Sequence, residues 1–241
     1  LSNAPPENVK RLLNINRDMF LLVRLFAGFR DRKVSSADFV SWVEDDIYQL
    51  YEQGIRYFEV HNEPNLQIEG LHHSWQDGHQ FAEWFLEVVE RLKSHYPEAL
   101  FGYPGLSPGH EIPGQRMDSW IFLQQSEIAA LASDWIGCHC YWISDTDMMQ
   151  PTGGLVYEEF RRLYPEKLLF VTEFSNPYSE VSKRSKGQQY VDYYRRLRNI
   201  KGIGAAFSFV LSASSNFPHE VWRREDGQIS EIVQLVGNRN F

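Results

Sequence analysis

Two glutamates stand where apolar runs end, each in a short polar word. Glu63 lies in His61-Asn62-Glu63-Pro64-Asn65, directly after the run Ile55 to Val60. Glu173 closes the run Leu168 to Glu173, within Val171-Thr172-Glu173-Phe174. If both runs are strands of one parallel sheet, both carboxyls arrive at the carboxyl ends of strands, where α/β folds hold their active sites. Paired carboxylates in that place suit glycoside hydrolysis. One carboxyl protonates the leaving oxygen, and the other attacks the anomeric carbon or activates water. One of the acids must then stay protonated near neutral pH, which burial or a nearby like charge arranges. Taken singly, each glutamate reads better as the ion-pair partner of an Arg or Lys.

The elements that would position these residues alternate along the chain. Helices are expected at Pro6–Asn14, Ser36–Gln53, His79–Tyr96, Asp118–Ala132, Tyr157–Leu163, Lys186–Ile200 and Ile229–Val236. Strands are expected at Phe20–Phe26, Ile55–Val60, Ala99–Tyr103, Trp135–Tyr141, Leu168–Glu173 and Ile203–Val210. Ser35 or Ser36 reads as a helix cap, and Gly54, Pro97 and Gly202 as stops. Strand–helix alternation means βα units and a parallel sheet, and strands apolar on both faces need helices on each side. A doubly wound sheet and a (β/α)8 barrel both satisfy this. The dinucleotide version of the former has no support, since no Gly-x-Gly-x-x-Gly follows a strand.

Composition narrows the classes. The chain has 241 residues, 24 Lys and Arg against 32 Asp and Glu, and a formal charge of −8. Acidity argues against a nucleic-acid partner, which usually requires a basic stripe. No apolar run approaches the roughly 18 residues of a membrane span; the nearest, Gly202 to Ala213, carries Ser208 and Ser212. Aromatic residues make up 15%, which suits a large core and a sugar-binding cleft equally. Cys138 and Cys140 cannot form a disulfide scaffold. Their positions flanking His139 on a strand point them away from it, so Cys-His-Cys cannot close on one ion. His61, His72, His73 and His79 lack ligand spacing, and no metal site is expected. Leu1-Ser2-Asn3-Ala4 reads as a possible vector-derived remnant and is set aside, leaving residues 1–241 as one domain.

Asn-Glu-Pro after a strand and Thr-Glu-Phe at a strand end resemble the signature of glycoside hydrolase clan A. The resemblance implies a (β/α)8-barrel retaining glycosidase, with its acid/base at the end of strand 4 and its nucleophile at the end of strand 7. The two glutamates here are likewise three strands apart. His139 and Tyr141, on the strand before Glu173, are similar to the His and Tyr the clan carries near strand 6. Val221-Trp222-Arg223-Arg224-Glu225-Asp226-Gly227 resembles the stretch after strand 8. The likeness runs from about Phe20 to the C-terminus.

Carried over residue by residue, the resemblance makes Glu63 the acid/base and Glu173 the nucleophile, with their carboxyl oxygens about 5–5.5 Å apart. Asn62 would bind the sugar 2-OH, Tyr141 would hydrogen-bond Glu173, and His139 would line the subsite of cleavage. Arg24 would steady a carboxylate or form a structural ion pair; His61 fits the barrel wall better than the site. His72, His73 and Trp75 read equally as sugar contacts or as a solvated loop. Strand 8 has no Trp, so Phe207, Phe209 or Trp222 must supply the floor beneath the sugar. Strands 3–8 are visible and strands 1 and 2 are not. The expectation is an α/β fold of incomplete TIM (β/α)8-barrel type, closed by an upstream segment or a second subunit. It would be a retaining O-glycoside hydrolase of β-linked oligo- or polysaccharide, with no cofactor. The alternative is a non-catalytic carbohydrate-binding or scaffold protein derived from such a barrel.

Overall fold

The structure is a computed structural model that describes residues 5–212 and 216–237. Residues 1–4, set aside above, lie outside them, as does Ala213 at the end of the apolar run. Six strands are present among the described residues: β1 (Leu22–Leu25), β2 (Tyr57–Val60), β3 (Leu100–Tyr103), β4 (Trp135–Tyr141), β5 (Leu168–Ser175) and β6 (Ile203–Ser208). Their order in the sheet is their order in the chain, and the β1–β2, β2–β3, β3–β4 and β5–β6 pairs are parallel. The helices between them are α1 (Pro6–Ile15), α2 (Ser36–Glu52), α3 (Gly78–His95), α4 (Ser119–Gln125), α5 (Glu127–Ala132), α6 (Asp145–Met148), α7 (Val156–Leu163), α8 (Lys183–Leu197) and α9 (Glu231–Val236). This is the expected α/β fold of incomplete (β/α)8-barrel type. No helix among the described residues is long and apolar enough to cross a membrane. The chain divides into two compact units, Leu1–Gly137 and Cys138–Phe241, the division falling inside β4.

In the first unit, α2 starts at a capping box in which Ser35 and Asp38 satisfy each other's backbone N–H. Phe39, Val43, Ile47 and Leu50 then recur every three to four residues and are all buried, each contributing about 1.5–3 kcal/mol. The helix stops where Gly54 takes φ 91°, a left-handed conformation that glycine adopts without steric cost. α3 is capped by Asp77, whose side chain accepts from the Gln80 N–H, and buries Phe81, Trp84, Phe85, Val88 and Leu92. Gly102 lets β3 pass against the Trp135 ring, because a Cβ there would sit 2.3 Å from the indole.

In the second unit, α8 starts at Ser182, whose hydroxyl accepts from the Ser185 N–H. Its buried face carries Tyr190, Val191, Tyr193 and Leu197. Tyr190 and Tyr193 pack with Trp142 and Phe174, with ring centroids 4.8–6.0 Å apart. Cys138 and Cys140 are fully buried and form no disulfide.

Candidate active site

Glu63 belongs to the first unit, three residues beyond the end of β2. Its φ is 36°, and that of His61 is 70°. A side-chain-bearing residue occupies this left-handed region at a cost of about 1–3 kcal/mol, and it persists only where the surroundings over-determine it. The surroundings here do. The Glu63 N–H donates to the Gly105 carbonyl at 3.1 Å, and the Glu63 carbonyl accepts from the Leu66 N–H at 2.9 Å. Asn65 is fully buried. Its amide donates to the Ser107 and Met117 carbonyls at 2.9 and 3.1 Å, and its oxygen accepts from the Ser107 N–H at 2.9 Å. Trp75 is not at the surface but in the core, with its indole N–H on the Pro64 carbonyl at 2.8 Å.

His61 is wholly buried, against the face of Phe29 at 4.4 Å between centroids. Its Nε2 lies 2.7 Å from the Glu69 carbonyl, an acceptor, so Nε2 bears the ring proton. Burial pushes its pKa down to about 4; the carbonyl bond opposes this and the Arg24 charge adds to it. His61 is thus a neutral wall residue, the packing role weighed above.

Arg24 forms an ion pair with Glu59. The two face each other in register on β1 and β2, with Nε donating to Oε2 at 2.7 Å. Glu59 is 1% exposed, and its other oxygen accepts from the Gly105 N–H at 3.1 Å. Gly105 thus meets Glu59 through its N–H and Glu63 through its carbonyl. The Asn62 amide reaches Glu69 Oε1 at 3.4 Å. Its carbonyl oxygen is buried and has no hydrogen-bond partner among the described residues.

In the second unit, alternation along β4 puts His139 and Tyr141 on one face and the two thiols on the other. The Tyr141 hydroxyl donates to Glu173 Oε2 at 2.5 Å. His139 is 1% exposed, and its Nδ1 stands 3.7 Å from the same oxygen. Glu173 itself is buried. The β5–β6 ladder shifts register between Val171 and Phe174, which brackets Glu173. A shift of this kind bends a strand locally and re-aims a side chain, and such irregularities concentrate next to active sites. Trp222 stacks on Tyr190 with centroids 6.4 Å apart and rings 28° from parallel. Its indole N–H is buried with no partner among the described residues. The Phe209 ring lies edge-on to Tyr141 at 6.5 Å.

Three further residues join this neighbourhood without any sequence signal. Ser175 donates to the buried carboxylate of Glu220 at 2.8 Å and lies 3.1 Å from the Tyr190 hydroxyl. Glu220 sits in a loop with no periodicity to mark it. Glu59, by contrast, had a signal: it lies with Arg56 in the apolar run Ile55–Val60, as Arg24 lies in the neighbouring run.

No protein-family model matches the chain, and no curated protein matches it. Solved structures do. A GH128 (subgroup II) endo-β-1,3-glucanase from Sorangium cellulosum is 19% identical with a TM-score of 0.67, over 93% of this chain and 83% of that one. A GH128 (subgroup VI) exo-β-1,3-glucanase from Aureobasidium namibiae is 13% identical with a TM-score of 0.63, over 97% and 82%. A family 39 glycoside hydrolase from Bacteroides cellulosilyticus WH2 is 13% identical with a TM-score of 0.69, over 97% of this chain and 53% of that one. At these identities the likeness concerns the fold, and the chain has the fold of these glycoside hydrolases, in agreement with the clan A resemblance carried by its motifs.

Proposed function

We propose that this chain is a retaining glycoside hydrolase of β-linked oligo- or polysaccharides, with residues 1–241 acting as one glycosidase domain. Glu173 is the nucleophile and Glu63 the acid/base. The observation that carries the reading is the Tyr141–Glu173 hydrogen bond of 2.5 Å at the carboxyl end of β5. A phenol donating to a carboxylate favours its ionised form and fixes which oxygen lone pair remains for attack. In the first step a Glu173 oxygen bonds to the anomeric carbon as the glycosidic C–O bond breaks, and Glu63 gives its proton to the departing oxygen. In the second, water loses a proton to Glu63 and adds to the anomeric carbon, expelling the Glu173 carboxylate. The unpartnered Asn62 oxygen is the acceptor for the sugar 2-OH. His139 lines the subsite of cleavage, Trp222 contributes to its floor, and Arg24 acts at one remove by holding Glu59 and the Gly105 turn.

The solved structures of similar fold include β-1,3-glucanases, one of them in complex with laminaritriose, so a β-1,3-glucan is the first substrate to test. With an aryl β-glycoside and laminari-oligosaccharides, Glu173→Gln is expected to abolish turnover at unchanged circular dichroism. Glu63→Gln should lose far more on the oligosaccharide than in glycosylation by the activated aryl glycoside, which needs little acid help. Trapped adduct on Glu173 should then appear by intact-protein mass spectrometry. Full activity of Glu173→Gln refutes the nucleophile assignment, and sugar binding without turnover by the wild type establishes the non-catalytic alternative.

A further inference from the structure

A third carboxylate is built into the surroundings of Glu173. Glu220, on the segment after β6, is 7% exposed. Its Oε1 accepts from the Ser175 hydroxyl at 2.8 Å, two residues along β5 from Glu173. The Ser175 oxygen lies 3.1 Å from the Tyr190 hydroxyl, which itself takes the Asn176 N–H at 3.2 Å. A carboxylate can only accept, so Ser175 O–H gives to Glu220 and Tyr190 O–H gives to Ser175. Lys186 of α8 is fully buried, and its ammonium donates to the carbonyl of His219, the residue before Glu220, at 3.1 Å. Burial pushes the Glu220 carboxyl up; Ser175 and Lys186 pull it back, and the Glu173 charge pushes it up further.

We propose that Glu220 is a positioning residue of the reaction, holding the carboxyl end of β5, and with it Glu173, through Ser175. The inference rests on the assignment of Glu173 above. A buried carboxylate hydrogen-bonded to the strand that bears the nucleophile fixes where that strand ends.

Ser175→Ala deletes only the hydroxyl, and Glu220→Ala deletes the carboxylate it is bonded to. Each should lower kcat several-fold while KM stays put, and Glu220→Gln, which keeps an acceptor oxygen for Ser175, should recover much of that loss. The side-chain carboxyl carbon of Glu173, assigned in NMR spectra by its loss in Glu173→Gln, should shift in Ser175→Ala and Glu220→Ala and return towards its wild-type position in Glu220→Gln. Wild-type kcat in both Ser175→Ala and Glu220→Ala overturns the proposal, as does a Glu173 resonance that neither variant moves. If the wild type turns over no glycoside, the catalytic reading fails, while the NMR spectra still decide whether Glu220 holds Glu173 through Ser175.

Discussion

Tyr141→Phe removes one hydroxyl and one hydrogen bond, the 2.5 Å contact to Glu173 Oε2. Hydrogen bonds to a charged group contribute about 1.5–3 kcal/mol, and each 1.36 kcal/mol is tenfold in rate. The contact therefore represents roughly a 10- to 150-fold effect if it is lost where Glu173 bears its charge. That charge leaves Glu173 as the glycosyl ester forms and returns as the ester breaks. The hydrogen bond thus weakens in the first transition state and strengthens in the second. Deglycosylation should suffer most. With an aryl β-glycoside of fast first step, kcat should fall within that range. KM should fall with it, because the glycosyl-enzyme accumulates. The assay is stopped-flow release of the aryl alcohol, where a burst should appear, followed by intact mass for the ester. A variant with wild-type kcat and no burst refutes the reasoning.

Three other outcomes follow from the wall of the first unit. His61 is held near a pKa of about 4 by burial, against about 6.5 in the unfolded chain; as pH falls from 6.5 to 4 the unfolded state takes the proton first, and stability should drop by on the order of 3 kcal/mol. His61→Asn suits the left-handed backbone and should flatten that pH slope in urea unfolding, whatever it does to absolute stability; an unchanged slope would assign the acid sensitivity elsewhere. Arg24→Met leaves the Glu59 charge buried and should cost about 3–5 kcal/mol, whereas Arg24→Met with Glu59→Gln should recover much of that loss in thermal unfolding. If the pair were solvent-screened, single and double variants would unfold alike.

The strands, and the placement of Glu63 after β2 and Glu173 near the end of β5, were legible because their signals are local. β4 runs from Trp135 to Tyr141 as its apolar pattern required, and α2 begins at the expected Ser35 cap. Boundaries moved where a side chain decided them. The helix expected over Asp118–Ala132 breaks at Ser126, whose hydroxyl bonds back to the Phe122 carbonyl at 2.7 Å and lies 2.7 Å from the Tyr103 hydroxyl. α8 begins at Lys183 rather than Lys186 because Ser182 supplies the cap. The single turn of α6 escaped notice, being four residues fixed by Ser144 bonding the Asp147 N–H. β6 stops at Ser208, two residues short of the expected end, where its ladder to Phe174 closes. What no pattern could reveal is pairing between distant residues: that Glu220 meets Ser175, or that Gly105 serves Glu59 and Glu63 together.

The two thiols of β4 give the strand a reporter of its own motion. Cys138 and Cys140 have no exposed surface and alternate with His139 and Tyr141, so a thiol reagent can reach them only after the strand has opened. The rate of labelling therefore counts openings of the element that carries both ring partners of Glu173. A sugar that stabilises the closed strand would slow the chemistry of sulfur atoms it never touches, and ligand binding becomes measurable without a chromogenic substrate.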